Sequence, residues 1–296
     1  MNKPNADVTE QRRWISTYEQ EAVLEIDAWR NPDVSAVGKA VKKASAVLDE
    51  TTDLLRHIPG VNWTLDTLVA GILTKVNEVS QDFVQTKTIY VDLQRAGLRI
   101  SSPGQAFDHD LRHIDRHTRG LPPKYQALAT AEGASTGLIG AAGILPDILA
   151  LTAINLRAVG EYASYYGFDV QSEEERLCTL NVLNVAAGGS DLQKEYALKP
   201  IVRASSSIAK QQVLESAGQA AMSSAIKRAV ERLGITLTRK KVAQLMPIAG
   251  AVVGGSFNLY YTSKVCSTAY QFYRERFLVE RHGPDVMKRA AGPPAG

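Results

Sequence analysis

Three histidines recur every four residues in the run Asp108-His109-Asp110-Leu111-Arg112-His113-Ile114-Asp115-Arg116-His117. On a helix they share one face, and a histidine pair at that spacing holds a divalent metal in metalloprotease helices. Helical rise limits the reading to a pair, because about 12 Å separates His109 from His117 and one ion cannot reach all three. The general-base glutamate of the metalloprotease helix is missing, and Arg112, Arg116 and Arg119 add positive charge. A solvated polar helix over Phe107 to His117 is the expectation. His113 and His117 are weak metal candidates, and a metal-dependent hydrolase is the reading that would need them. No cofactor is implied.

A second set of chemically capable groups lies in apolar surroundings. Gly133 to Leu156 carries one charge, Asp147, and Arg157 and Glu161 follow directly. Ionised groups in such a setting are costly unless paired. Arg157 and Glu161 have the i, i+4 spacing of a helical ion pair. Asp147 and Glu161 would be about 21 Å apart along one helix, which excludes a catalytic carboxylate pair between them. Partners must come from other helices, with Asn258 and Arg203 as candidates. Asp147, Arg157, Glu161, Asn258 and Arg203 are thus expected to form a buried polar network or a ligand site. Near the C-terminus Tyr270, Tyr273 and Phe277 share a helical face, interleaved with Arg274, Arg276 and Arg281. Such a surface can meet nucleic acid or anionic lipid; the commoner meaning, expected here, is an amphipathic closing helix whose aromatics fill the core.

The commonest signatures of nucleotide binding and serine hydrolysis are missing. No Gly-x-Gly-x-x-Gly or Gly-x-x-x-x-Gly-Lys-Ser/Thr run follows a strand, and no serine sits in a Gly-x-Ser-x-Gly elbow. The glycines instead read as packing devices. Gly133, Gly137, Gly140 and Gly143 are spaced by four, three and three, and Gly250 and Gly254 by four. Small residues at that spacing let helix backbones approach closely.

The elements that must position these groups are helical. Periods of 3.6 recur and sustained alternation is absent, so an all-α, multi-helix globular domain with glycine-rich, tightly packed helical hairpins is expected. Ile15, Tyr18, Ala22, Ile26 and Trp29 mark one face of a first helix from Thr9, stopped by Asn31-Pro32. A second helix should end before Pro59-Gly60, and a third should run from Leu65 to Leu98. Gly120-Leu121-Pro122-Pro123 breaks the chain. Ser172 and Glu175 read as a capping box that starts a helix after the turn at Gly167-Phe168-Asp169. Val202 to Leu233 reads as a long helix. The expected organisation is an N-terminal helical region at 1–104, a polar helix and linker at 105–124, a helical core at 125–283 and a disordered tail at 284–296.

Composition narrows the class further. With 34 basic and 31 acidic residues the net charge is +3, too small a bias for a nucleic-acid stripe, so nucleic acid is not an expected partner. Cys178 and Cys266 fit two buried thiols in a reducing compartment. Met1 to Arg13 lacks the apolar stretch of a signal peptide, which points to the cytoplasmic side. Gly133–Leu156 and Val242–Ser263 approach membrane-spanning length. Pro146-Asp147 interrupts the first, and Gln244, Pro247, Ser256 and Asn258 dilute the second. Gly133–Ala158 and Val242–Tyr261 are therefore expected to pack against each other through their glycine faces rather than to cross a bilayer.

Several blocks resemble the EcsC family. They are Lys124-Tyr125-Gln126-Ala127-Leu128-Ala129, Ala131-Glu132-Gly133-Ala134-Ser135-Thr136-Gly137, Leu145-Pro146-Asp147-Ile148, Leu156-Arg157-Ala158-Val159-Gly160-Glu161 and Tyr166-Gly167-Phe168-Asp169. The order continues at Pro247-Ile248-Ala249-Gly250-Ala251-Val252-Val253-Gly254-Gly255 with Asn258, and at Tyr273-Arg274-Glu275-Arg276-Phe277-Leu278. The family is named for a protein encoded beside the two components of an ABC transporter. The resemblance therefore implies a helical fold and a transport or membrane context, and carries over no catalytic residue. A membrane-associated accessory or binding module is expected ahead of an enzyme, peripheral on the inner face of the cytoplasmic membrane. Its partner would be a membrane surface or a membrane transporter. The alternative is a soluble carrier of a lipid or other apolar ligand.

Overall fold

The computed structural model describes residues 15–31, 84–137, 144–187 and 254–289, with Ser224, Lys227, Leu233 and Leu237 as single helical positions. The described residues are helical and contain no strand, so the protein is all-α as expected. The second helix, the glycines Gly140, Gly143 and Gly250, Arg203 and Pro247 lie outside the described residues.

Helix α1 spans Thr17–Arg30. Ser16 caps it in a full capping box with Glu19, and Ala22, Val23 and Ile26 form its buried stripe. Asn31 is its C-cap, where the Asn-Pro pair was expected to stop it. Helix α2 spans Thr86–Arg95 and buries Ile89 and Leu93. The chain is non-helical at Val84 and Gln85, so the third expected helix does not run unbroken to Leu98. Gly97 closes α2 at φ +86°, and the Leu98 N–H reaches back to the Leu93 carbonyl at 3.0 Å. That left-handed closure favours glycine.

The histidine run does not form one helix. Gln105–Asp108 is a 3-10 turn, His109 is extended at φ −103°, ψ 157°, and α3 begins only at Leu111, capped by Asp110, and ends at Thr118. His109 therefore shares no helical face with His113 and His117. Nor is α3 merely solvated or a linker. Leu111, Ile114, Asp115 and Thr118 stand at i, i+3, i+4 and i+7 and are all buried, with α3 packed on α1, α5 and α7.

Helix α4 spans Leu121–Gly137. Pro122 and Pro123 open it rather than break it, since the first-turn N–H groups have no helical partner to lose. The expected break falls just before them, at Arg119-Gly120, and the expected start of the core at 125 lies inside α4. Helix α5 is Ile144–Tyr165 and α6 is Glu173–Ala187. Pro146 likewise sits in the first turn of α5. Ser172 caps α6 by accepting from the Glu175 N–H at 3.2 Å, but the Glu175 side chain serves elsewhere, so only half of the expected box forms.

Helix α7, Gly254–His282, is the axis of the molecule. It runs about 43 Å and packs against α1, α3, α4, α5 and α6. Its aromatics Tyr273 and Phe277 fill the core as expected, but Arg274 and Arg276 are buried as well, so it is not an amphipathic closing helix. One hydrophobic cluster joins α1, α2, α3, α4, α5, α6 and α7, so the described part of the N-terminal region shares the core. Past Gly283 the chain continues into a short helix α8, Val286–Arg289, with Val286 buried, which shortens the expected tail. No helix among the described residues is long and apolar enough to cross a membrane.

Candidate functional site

The charged groups fall into two environments. The first surrounds the C-terminal half of α7. Arg274, Glu275 and Arg276 are successive residues, so helical geometry points them roughly 100° apart. Their partners lie on three helices: Arg274 Nε is 3.0 Å from Asp115 of α3 and its Nη1 2.7 Å from Glu25 of α1, Glu275 pairs with Arg30 of α1, and Arg276 places Nη1 2.8 and 2.9 Å from the two Glu175 oxygens of α6. Asp115 also accepts from the hydroxyls of Tyr18 at 2.8 Å, Tyr166 at 2.6 Å and Tyr270 at 3.2 Å. Burial pushes its carboxyl up from the ordinary range, while Arg274 and the three hydroxyls pull it back. Burial and the Asp115 charge likewise raise the Tyr18 hydroxyl to about 12. Tyr273 donates to Glu175, and the Arg276 guanidinium lies 3.8 Å from the centre of the Phe168 ring.

Glu19 completes this environment. His282 Nε2 lies 3.0 Å from Oε2, Arg281 Nε lies 3.1 Å from Oε1, and the Ser16 and Leu111 N–H groups donate to it. Burial works to raise its carboxyl. The hydrogen bonds of His282 and Ser16 and the nearby charges of His282 and Arg281 outweigh burial and hold it low. Every carboxylate named here is engaged by buried cations or hydroxyls, so the network ties helices together, although Nε of Arg30, Arg274, Arg276 and Arg281 makes no hydrogen bond.

The second environment is a cleft of 470 Å³ between α2, α4 and α5. Lys87, Asp92 and Arg95 line it from α2, Lys124 from α4, and Arg157, Glu161 and Tyr165 from α5, with Ile89 and Val91 as apolar wall. Glu161, 8% exposed, is gripped by Lys124 Nζ at 2.6 and 2.8 Å and lies 3.5 Å from Arg157 Nε. The side chains of Lys124 and Arg157 remain 42% and 39% exposed. Asp92 accepts from the Tyr165 hydroxyl at 3.3 Å and faces His117 Nδ1 at 3.4 Å. Burial and the charges of Asp92 and Glu161 raise that hydroxyl to about 12, so it stays a neutral donor.

The sequence-predicted residues therefore separate. Arg157 and Glu161 pair in the cleft. Asp147 and Asn258 meet elsewhere: Asn258 Nδ2 donates to Asp147 at 2.9 Å and to Glu132 at 3.0 Å, joining α5, α7 and α4. Gly133 is buried on α4 beside that contact, and Gly137 and Gly254 end the described helices. The close approach visible in the structure is at another glycine. A Cβ on Gly160 of α5 would lie 2.6 Å from Val84 Cγ2, just ahead of α2. His113 is exposed and His117 stacks beside Tyr165. Among the described residues no group of three or more His, Cys, Asp or Glu could hold a metal. Both cysteines are buried thiols, and burial raises Cys266 to about 12. Asp115, Glu175, Lys124, Asp92 and Arg95 were missed as members of a site. For Asp115 the signal was present, because an acid at the i+4 position of an apolar stripe must have buried partners.

The chain is 24% identical over 213 residues to "Uncharacterized protein YdbA" of Bacillus subtilis (strain 168), covering 67% of this chain and 74% of that one. It is 28% identical over 159 residues to "Protein EcsC" of the same organism, covering 54% of this chain and 61% of that one. No solved structure matches. The model of the EcsC protein family matches residues 20–278, from within α1 to within α7, and the chain belongs to the EcsC protein family.

Proposed function

We propose that this protein is a non-catalytic accessory module of a transport or envelope process, held on the cytoplasmic face of the membrane through the cleft between α2, α4 and α5. The observation that carries this reading is the division of its charges. The ions around α7 are buried and paired with one another, whereas the cleft presents Lys87, Arg95, Lys124 and Arg157 toward solvent. Basic side chains near an anionic leaflet contribute about 1 kcal/mol each, enough in combination for reversible attachment. Catalysis has weaker support. Glu161, the buried carboxylate of the cleft, is held between two cations, and His109 lies outside the helix that would have presented a metal site.

Fractionation of cells expressing the full chain tests this. The protein is expected in the membrane pellet at low salt and in the supernatant at high salt, as screening requires. Protein that stays in the low-salt supernatant with stoichiometric co-purified lipid would replace this reading with that of a soluble lipid carrier.

A further inference from the structure

We infer that the cleft between α2, α4 and α5 is a binding site for a phosphate group, an inference that rests on the reading of this cleft as the contact site. Three observations meet there. The first is charge: Lys87, Arg95, Lys124 and Arg157 stand against two carboxylates, Asp92 and Glu161. Both carboxylates are already engaged, Glu161 by Lys124 and Arg157, Asp92 by Tyr165 and His117. A ligand entering from solvent therefore meets an excess of positive charge.

The second is the set of donors left over. Arg157 pairs with Glu161 through Nε at 3.5 Å and makes no hydrogen bond through its terminal amino groups among the described residues, so both remain for a ligand. A guanidinium fork matches two oxygens of a phosphate. Lys124 uses Nζ on the two Glu161 oxygens and lies 4.9 Å from the centre of the Tyr125 ring, which fixes its direction while its side chain stays 42% exposed. Glu161 is a positioning residue here: it aims Lys124 and Arg157 along the same wall. Lys87 and Arg95 face them from α2 with no protein partner among the described residues.

The third is size. A cleft of 470 Å³ falls in the range of small-molecule sites and takes a phosphorylated headgroup or a small phosphate monoester. A membrane lipid and a soluble metabolite offer the same chemistry here, and two probes separate them.

The full chain is titrated with glycerol phosphate by calorimetry. In parallel it is sedimented with phosphatidylcholine vesicles with and without phosphatidic acid. Binding to at least one phosphate probe is expected. Arg157→Ala should weaken it by about tenfold to a hundredfold, Arg157→Lys by less, and Arg119→Ala on the exposed turn not at all. Thermal melts of each variant confirm folding, and Arg157→Lys decides the matter if Arg157→Ala does not fold. Glycerol phosphate binding without vesicle binding would uphold the phosphate site and overturn membrane attachment. Phosphatidic acid binding that survives in both Arg157 variants would overturn the phosphate site and leave membrane attachment standing. Binding to neither probe overturns the inference.

Discussion

Arg276 and Arg157 belong to one fold and both pair with a glutamate of low exposure, yet they occupy opposite circumstances. Arg276 is 2% exposed, lies against Phe168 and is matched by both oxygens of Glu175. Arg157 meets Glu161 edge-on through Nε and keeps 39% of its side chain exposed. In the core Arg274, Glu275 and Arg276 each have an oppositely charged partner, and these pairs connect α7 to α1, α3 and α6. In the cleft the protein answers the carboxylate and leaves the cations half open. Residue type is shared between the regions; exposure of the paired side chain is what distinguishes a structural charge from one available to a ligand.

The largest effect should come from breaking a core pair. Arg276→Met leaves Glu175 buried without its counter-charge and should cost about 3–5 kcal/mol, read from denaturant unfolding. A cost below about 1 kcal/mol would show that Glu175 reaches water and does not depend on Arg276. Next is the contact that holds one wall of the cleft. Gly160→Ala presses a methyl against Val84 and should cost about 1–3 kcal/mol. Val84→Ala added to it should recover most of that loss, because the two residues share one contact. Additive losses would mean that α2 and α5 do not meet there.

A third test is acid titration. The Glu19 carboxyl is lower in the folded protein than the value of 4.5 of the free group. A depressed carboxyl stabilises the fold above its unfolded value, and that contribution is lost as pH falls from about 4.5 through the folded value. The stability of Glu19→Gln should therefore be lower at neutral pH and flatter through this acid window than that of the parent. Identical acid limbs would show that His282 and Arg281 do not hold Glu19 ionised. The smallest effect is expected in the cleft: Arg157→Ala should change stability by under about 1 kcal/mol, as for other part-exposed pairs. A loss as large as that of Arg276→Met would make Arg157 structural and erase the contrast.

Much of the fold was legible from periodicity and punctuation. The stripe from Tyr18 to Trp29 appears in α1, which starts at Thr17 rather than Thr9 and leaves Ile15 ahead of its cap, and Gly167-Phe168-Asp169 appears as the turn into α6. Gly167 sits at φ +88°, and a Cβ there would meet Ala106 at 2.7 Å. The histidine run misled because spacing by four was read as helix through His109, whereas Asp110 caps a new helix and leaves His109 extended. Pro122 and Pro123 misled for the opposite reason: proline was read as a break where it opens the next helix. Ser172 and Glu175 fit a local capping pattern, but a buried arginine from α7 is a stronger partner for the glutamate than an exposed backbone N–H.

Sequence by itself determined the helical class, the EcsC resemblance from Tyr125 to Gly283, and the Arg157–Glu161 pairing, because each is carried by residues close in the chain. Only the tertiary structure decided the central place of α7, the convergence of Tyr18, Tyr166, Tyr270 and Arg274 on Asp115, and the meeting of Lys87 and Arg95 with Lys124 and Arg157 across one cleft. Those partners are separated by tens to hundreds of residues. Helical periodicity states which face of a helix is buried but contains nothing about which other face it is buried against. Whether an arginine spends its donors on the protein or keeps them is settled by that second face.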